Sequence, residues 1–346
     1  MSSNGLDFEG PIQVILKRIE LLKLRPRTPE RHEELQQLRQ QVNTLRKEIY
    51  SKLSPWQQVL VARHPDRPHT LDYVEHIFSE FTEFHGDRRF GDDPAIVCGL
   101  ACLDEDPVVI VGHQKGRGTR ENIRRNFGYA KPEGYRKALR AMRLAEKFQH
   151  PVVAFVDTPA AYPGLDSEER GVAEAIATNL REMSMLRVPI LVVISGEGGS
   201  GGALGLALGD RILIQEHSIF SVIPPEGCAA ILWRDPEKKV SAAEALKLTA
   251  ADLVKLRVVD EVIPEPLGGA HVDPKSAAKL VKTALVRSLE AISRTSIDEL
   301  LATRYRKYRR MGDVGLTTRT AHPTDLSKTR TEEVGGIRGQ GSNPDR

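Results

Sequence analysis

The feature that most constrains this chain is an apolar run, I-L-V-V-I-S at 190–195, followed at once by five glycines at 196, 198, 199, 201 and 202. An apolar run bounded by glycine predicts a strand buried on both faces, and the small apolar residues after Gly202 predict a short, tightly packed helix. So many glycines cost backbone entropy. They belong where the chain needs positive φ or where another group must approach the main chain closely. At a helix N-terminus the approached groups are amides without intrahelical partners, in a field that favours negative charge. Residues 196–203 therefore read as an anion or oxyanion site.

Three chemistries fit that loop. Gly196, Gly198 and Gly201 satisfy the dinucleotide fingerprint, with Glu216 near the position of a ribose-binding acid, although Gly209-Asp210 ends the helix early and the strand R-I-L-I-Q follows. Gly198, Ser200 and Gly202 satisfy the G-x-S-x-G nucleophile elbow, with Asp235, Asp260 and His271 downstream in the required order. In the third reading main-chain amides form an oxyanion hole, and Ser200 only caps the helix. A second unit of the same kind favours this last reading. V-V-A-F-V-D-T-P-A-A-Y-P-G at 152–164 is again a β-branched strand and a tight turn, with a helix expected over 167–186. Two strand, loop, helix units about forty residues apart predict successive turns of one spiral, their helix N-termini opening on the same side.

The combination of D-T-P-A-A-Y-P-G at 157–164, E-E-R-G at 168–171 and G-E-G-G-S-G-G-A-L at 196–204 resembles the α subunits of bacterial acetyl-CoA carboxylase carboxyltransferases, a family of the crotonase-like superfamily. The likeness spans roughly residues 5–310 and includes A-R-H-P-D-R-P, G-H-Q-K-G-R, R-R-N-F-G, P-E-G-Y-R-K-A-L-R, P-P-E-G-C and I-P-E-P-L-G-G-A-H. The resemblance implies an α/β crotonase-like spiral of ββα units with an N-terminal helical hairpin. It also implies transfer of a carboxyl group from carboxybiotin, held on a separate carrier protein, to acetyl-CoA, giving malonyl-CoA for fatty acid biosynthesis.

Carried onto this chain, the oxyanion donors are the amides of Gly201, Gly202 and Ala203, with Gly198 and Gly199 shaping the turn. The first loop, through Ala160, Ala161, Tyr162 and Gly164, should line the same biotin pocket. Ala160 stands where the family has glycine, so a positive φ there would carry strain. The implied partners are a β subunit in an α2β2 assembly, biotin carboxylase and the biotin carboxyl carrier protein, with zinc expected only on β. Consistent with a shared task, the chain encodes no G-x-x-x-x-G-K-S/T phosphate loop, no Met-Lys-Met-like biotinylation site and no four-cysteine ribbon.

Residues 115–143 carry ten Lys or Arg against Glu121 and Glu133, an excess that the net charge of +3 hides. Interleaved Phe127, Tyr129 and Tyr135 raise nucleic acid as a partner, but the stretch is broken by glycine turns and lacks an RNA-binding motif. Lys115, Arg117, Arg124 and Arg125 are accordingly assigned to the coenzyme A phosphates or to an acidic partner. His64, His69 and His85 read as loop or capping residues, and Glu226 as a helix N-terminal acid that could instead point into the site.

The remaining segments complete the expected layout. Apolar residues at three- and four-residue spacing predict a helical hairpin over 11–53, a helix over 71–84, a β-hairpin about residues 104–106, and helices over 241–257 and 274–294. The expected domains are therefore a hairpin (1–53), a carboxyltransferase domain (54–310) and a disordered tail (311–346) rich in Gly, Thr, Arg and Asp. Three cysteines without a C-x-x-C pair, no basic-then-apolar leader and no apolar run of membrane length point to the cytosol.

Overall fold

Val152–Thr158 and Ile190–Gly199 are buried along their whole lengths, as strands covered on both faces must be. They lie side by side and parallel at the centre of the sheet, with Val152 to Val156 facing Ile190 to Ile194 in unbroken register. The computed structural model describes residues 6–312 of the 346. In chain order the strands are β1 (Ser79–Glu83), β2 (Ile96–Leu103), β3 (Asp106–His113), β4 (Val152–Thr158), β5 (Ile190–Gly199), β6 (Arg211–Gln215), β7 (Ile219–Ser221) and β8 (Glu261–Ile263).

The sheet runs β1-β2-β3-β4-β5-β6-β8, with β7 joined to the far end of β5. β2 and β3 form the expected antiparallel hairpin, and β3, β4, β5, β6 and β8 are parallel. Helices Pro132–Phe148 and Val172–Met185 cover one face, where Ala138, Met142, Ala175 and Met183 pack on Ala154, Val156, Val192 and Ile194. Helices Thr70–Ile77 and Pro274–Ser293 cover the other face through Tyr73, Ile77, Val281 and Leu285. The N-terminal helices Gly10–Lys23 and Pro29–Tyr50 close on each other through Ile12, Ile19 and Leu22 against Leu35, Leu38 and Val42. Thr28 caps the second of them by accepting the Arg31 amide, and Pro29 occupies its first turn, where no donor is needed.

Three expected elements are corrected, and one helix is added. The helix over 71–84 ends at Ile77, and Ser79–Glu83 is instead the edge strand β1, bulged where Glu80 takes φ 55°. The helix over 167–186 is two pieces, Leu165–Glu169 and Val172–Met185, broken at Gly171 with φ 75°. The helix over 241–257 breaks likewise into Lys239–Leu246 and Ala250–Lys255, because Thr249 bridges to Ile219 and Lys247 is left-handed. Helix Ile297–Arg310 had no counterpart in the sequence reading. Its Arg304 is buried, donating to Asp210 and to the carbonyls of Met183, Leu186 and Val188. The expected tail lies outside the described residues except at its first two positions.

Candidate functional site

Adjacent parallel strands deliver their carboxyl ends to one edge of the sheet, and the crevice there is where an α/β fold places ligands. Here β4 runs into the loop 159–164, and β5 runs into the glycine turn and the short helix Ser200–Leu204. The two loops touch. A Cβ at Gly199 would lie 1.7 Å from the Pro159 carbonyl oxygen, and one at Gly202 would lie 2.3 Å from the Ala161 nitrogen and 2.4 Å from the Ala160 carbonyl carbon. Only glycine permits that approach. Gly198 is spaced by the Phe220 ring, 2.6 Å from its would-be Cβ, through the pairing of β5 with β7.

Gly201 differs from its neighbours. It is half-exposed, and the nearest atom to its would-be Cβ is Ile176 Cδ1 at 4.0 Å. Among the described residues, no carbonyl or side chain is hydrogen-bonded to the amides of Gly201 or Gly202, whose i−4 partners would precede the helix. Gly202 and Ala203 are buried. Tyr135 Oη donates to the Gly202 carbonyl at 3.1 Å. Because a trans peptide points its C=O and N–H in opposite directions, that bond also fixes the Ala203 amide, aiming it away from Tyr135.

Ser200 does not cap this helix. The N-cap is Gly199, no side chain bonds to the first-turn amides, and Ser200 itself sits at φ 54°. That positive φ on a strand-to-helix turn is shared with a nucleophile elbow, but the expected partners of an elbow serine are engaged elsewhere. Asp235 caps the turn at 236–238, Asp260 holds the Ile212 amide and Lys307, and His271 stacks on His64 at 4.0 Å. No fingerprint helix follows Gly201, since β6 begins at Arg211.

The first loop is tied down from below. Tyr162 N donates to Ala130 O at 2.9 Å, and Thr158 Oγ1 lies 2.7 Å from Gly128 O and 2.8 Å from Ala160 O. Ala160 is absent from the positive-φ positions, so alanine carries no strain there. Tyr162 lies under the Lys131 ammonium, 4.8 Å from its ring centroid, and Gly164 stands where a Cβ would meet that ring at 2.3 Å.

Beneath both loops lies a buried ionic cluster. Lys115 Nζ lies 2.8 Å from Asp157 Oδ1 and 2.9 Å from Glu197 Oε1. Arg63 reaches Glu197 at 2.7 Å and Glu226 at 2.7 Å, and His69 Nδ1 lies 3.2 Å from Asp157 Oδ2. Burial alone would raise the Asp157 carboxyl, but the Lys115 ammonium and His69 hold it well below the usual range. Glu197 is lowered in the same way, against its burial, by Lys115 and Arg63. The cluster floors a cleft of about 390 Å³ lined by Arg63, His69, Lys115, Arg117, Asn122 and Phe127, among others.

Each of the four expected cations has defined surroundings within the protein. Lys115 is committed inside the protein, and Arg117 is held by both oxygens of Asp72. Arg125 is buried and donates to Glu121 and the Pro94 carbonyl, while Arg124 is exposed. His69 is more than a capping residue, and Glu226, though in a first helical turn as expected, joins the cluster through Arg63. Asp157 opens the expected first loop and Glu197 lies in the glycine turn, but their ionic contacts, like the Tyr135 hydrogen bond, have no local signal. They become visible only when residues 42, 82 and 67 positions apart are brought together.

Comparison with known proteins places this arrangement. Residues 5–312 match the family model described as acetyl co-enzyme A carboxylase carboxyltransferase-like. A protein of Geobacter metallireducens named acetyl-coenzyme A carboxylase carboxyl transferase subunit alpha is 56% identical over 311 residues, 90% of this chain and 98% of its own. Its namesake in Edwardsiella ictaluri is 51% identical over 317 residues, 90% of this chain and 99% of its own. Among solved structures, a Pseudomonas malonate decarboxylase hetero-tetramer in complex with coenzyme A aligns at TM-score 0.53 and 19% identity, over 64% of this chain and 91% of that one. The P. aeruginosa geranyl-CoA carboxylase β subunit aligns at 0.50 and 18%, over 73% of this chain and 45% of that one. At those identities the structures speak for the fold alone, which is α/β and crotonase-like. With nearly nine-tenths of its length inside the family model, this chain belongs to the acetyl-coenzyme A carboxylase carboxyltransferase-like family.

Proposed function

We propose that this chain is the α half of an acetyl-CoA carboxyltransferase, an enzyme that forms malonyl-CoA at the entry to fatty acid synthesis. The observation that carries the site assignment is the contact of the two loops at the ends of β4 and β5, where, among the described residues, no carbonyl or side chain pairs with the Gly201 and Gly202 amides and Gly201 is half-exposed. Those donors suit a small planar oxygen acceptor such as the ureido oxygen of biotin. When bound, carboxybiotin on its carrier protein supplies the carboxyl group, and negative charge grows on that oxygen as the group departs. The chain's part is to hold the charge with fixed amides, each worth roughly 3–4 kcal/mol at the barrier. Ala203 is a third donor, set by Tyr135, and Ala160, Ala161, Tyr162 and Gly164 form the facing wall.

The thioester of acetyl-CoA requires its own donors, which we assign to a β subunit. Exposed Leu165 and Leu204 flank the loops and offer apolar surface to such a partner. Arg117 and Arg124, both exposed on the basic segment, are candidates for a coenzyme A phosphate or an acidic partner. The helix pair at 10–50 is read as a separate module, and α2β2 as the assembly, working with biotin carboxylase and the biotin carrier in the cytoplasm. No helix among the described residues is long and apolar enough to cross a membrane.

Mixing the purified chain with and without β, and following malonyl-CoA from acetyl-CoA and carboxylated carrier, tests the assignment. Product is expected only from the mixture. Turnover by this chain alone, or none from the mixture, would overturn it.

A further inference from the structure

Lys115 stands just beyond β3, and its ammonium meets Asp157 at the end of β4 and Glu197 near the end of β5, so one cation ties three adjacent parallel strands at their carboxyl ends. The junction has no slack. Asp157 Oδ1 also accepts the Glu197 amide at 3.1 Å, and a Cβ at Gly196 would lie 2.3 Å from the same oxygen. Each anchor is followed directly by one loop of the site: Ala160 to Tyr162 after Asp157, and Gly198 to Gly202 after Glu197.

We infer that Lys115 is a positioning residue for carboxyl transfer, bridging Asp157 and Glu197 so that the two loops keep the spacing at which the Gly201 and Gly202 amides face one acceptor. The inference rests on the function proposed above. It differs from the expected phosphate contact, and the bonds of Lys115 to both carboxylates support it.

No neighbouring group can take over. His69 faces only Asp157, and Arg63 faces Glu197 and Glu226. Arg67 is engaged with Glu265 and the Ser195 carbonyl, and burial pushes the nearby His113 imidazole down to about 4, so it is neutral. Among the described residues, Lys115 alone has a side chain that contacts both carboxylates. Without its charge, two buried carboxylates are left across the gap that the ammonium filled. His69 and the Glu197 amide still hold Asp157, and Arg63 still holds Glu197, but the repulsion across the gap grows as the shared proton is lost with rising pH.

The test uses the complete enzyme with β and carboxylated carrier, reading kcat and KM for acetyl-CoA from about pH 6 to about pH 9 for wild type, Lys115→Met and Lys115→Met/Glu197→Gln. Lys115→Met should lower kcat by about tenfold or more with KM within about threefold, and its kcat should fall further with rising pH relative to wild type. The double variant, with one carboxylate neutralised, should recover most of kcat and lose the added pH dependence. If the single variant does not fold, recovery of folding and kcat in the double variant carries the same prediction. A raised KM with kcat kept, a pH profile parallel to wild type, or a double variant no better than the single one would overturn the role. An inactive wild-type assembly would instead overturn the carboxyltransferase function, a failure distinct from these.

Discussion

Ser200 sits at φ 54°, at the start of a helix whose first turn no side chain caps. A left-handed non-glycine residue costs roughly 1–2 kcal/mol, so Ser200→Gly should stabilise the protein by about 1 kcal/mol in urea unfolding. Its two glycine neighbours should respond oppositely to alanine. Gly201→Ala meets open space and keeps its amide, so carboxyl transfer should stay within a few-fold and stability should hold. Gly202→Ala drives a methyl into the Ala160–Ala161 main chain, and such overpacking costs about 1–3 kcal/mol while displacing the donors. Melting temperature and kcat measured together separate the two variants. The glycine loops could be found in the sequence because close main-chain approach admits one residue type. Lys115 was recognisable as a cation but not as a strut, since charge counting along 115–143 cannot see acids at 157 and 197.

At the scale of elements, what could be read was what repeats locally. The β2–β3 hairpin, β4, β5 and the two N-terminal helices follow from apolar spacing and turn residues. The breaks at Gly171 and Lys247 did not, because a helical period continues across them while distant partners impose the kink. Helix Ile297–Arg310 escaped for the same reason. It is mostly polar, and its hold on the body is Arg304, which is 1% exposed and ion-paired with Asp210 at 2.7 Å. Arg304→Met should cost about 3–5 kcal/mol, the usual penalty for leaving a buried charge unpaired. Faster hydrogen exchange in that helix and around residues 183–188, with the sheet still protected, would report the detachment. Unchanged exchange there would show that Arg304 is not the anchor.

For the whole molecule, acid stability follows from buried carboxylates. Burial alone would raise Glu265, but the fully buried Arg67 brings it down to about 2, below its unfolded value of 4.5. A depressed carboxyl stabilises the fold above its unfolded value, and that contribution drains away as pH falls from 4.5 towards 2. Urea midpoints should therefore drop steeply across that window, and more gently in Glu265→Gln, which starts from a lower neutral-pH stability.

Fold and family were evident from two glycine-bearing units forty residues apart, whereas the ionic floor that joins them required the assembled sheet. The central claim is that main-chain amides, not a hydroxyl, do the chemistry of this chain. It is tested most directly by the rate of malonyl-CoA formation with β and carboxylated carrier for wild type, Ser200→Ala and Gly202→Ala. The account predicts Ser200→Ala within a few-fold of wild type and Gly202→Ala slower by about 10²-fold or more. Loss of turnover in Ser200→Ala with full activity in Gly202→Ala would contradict it.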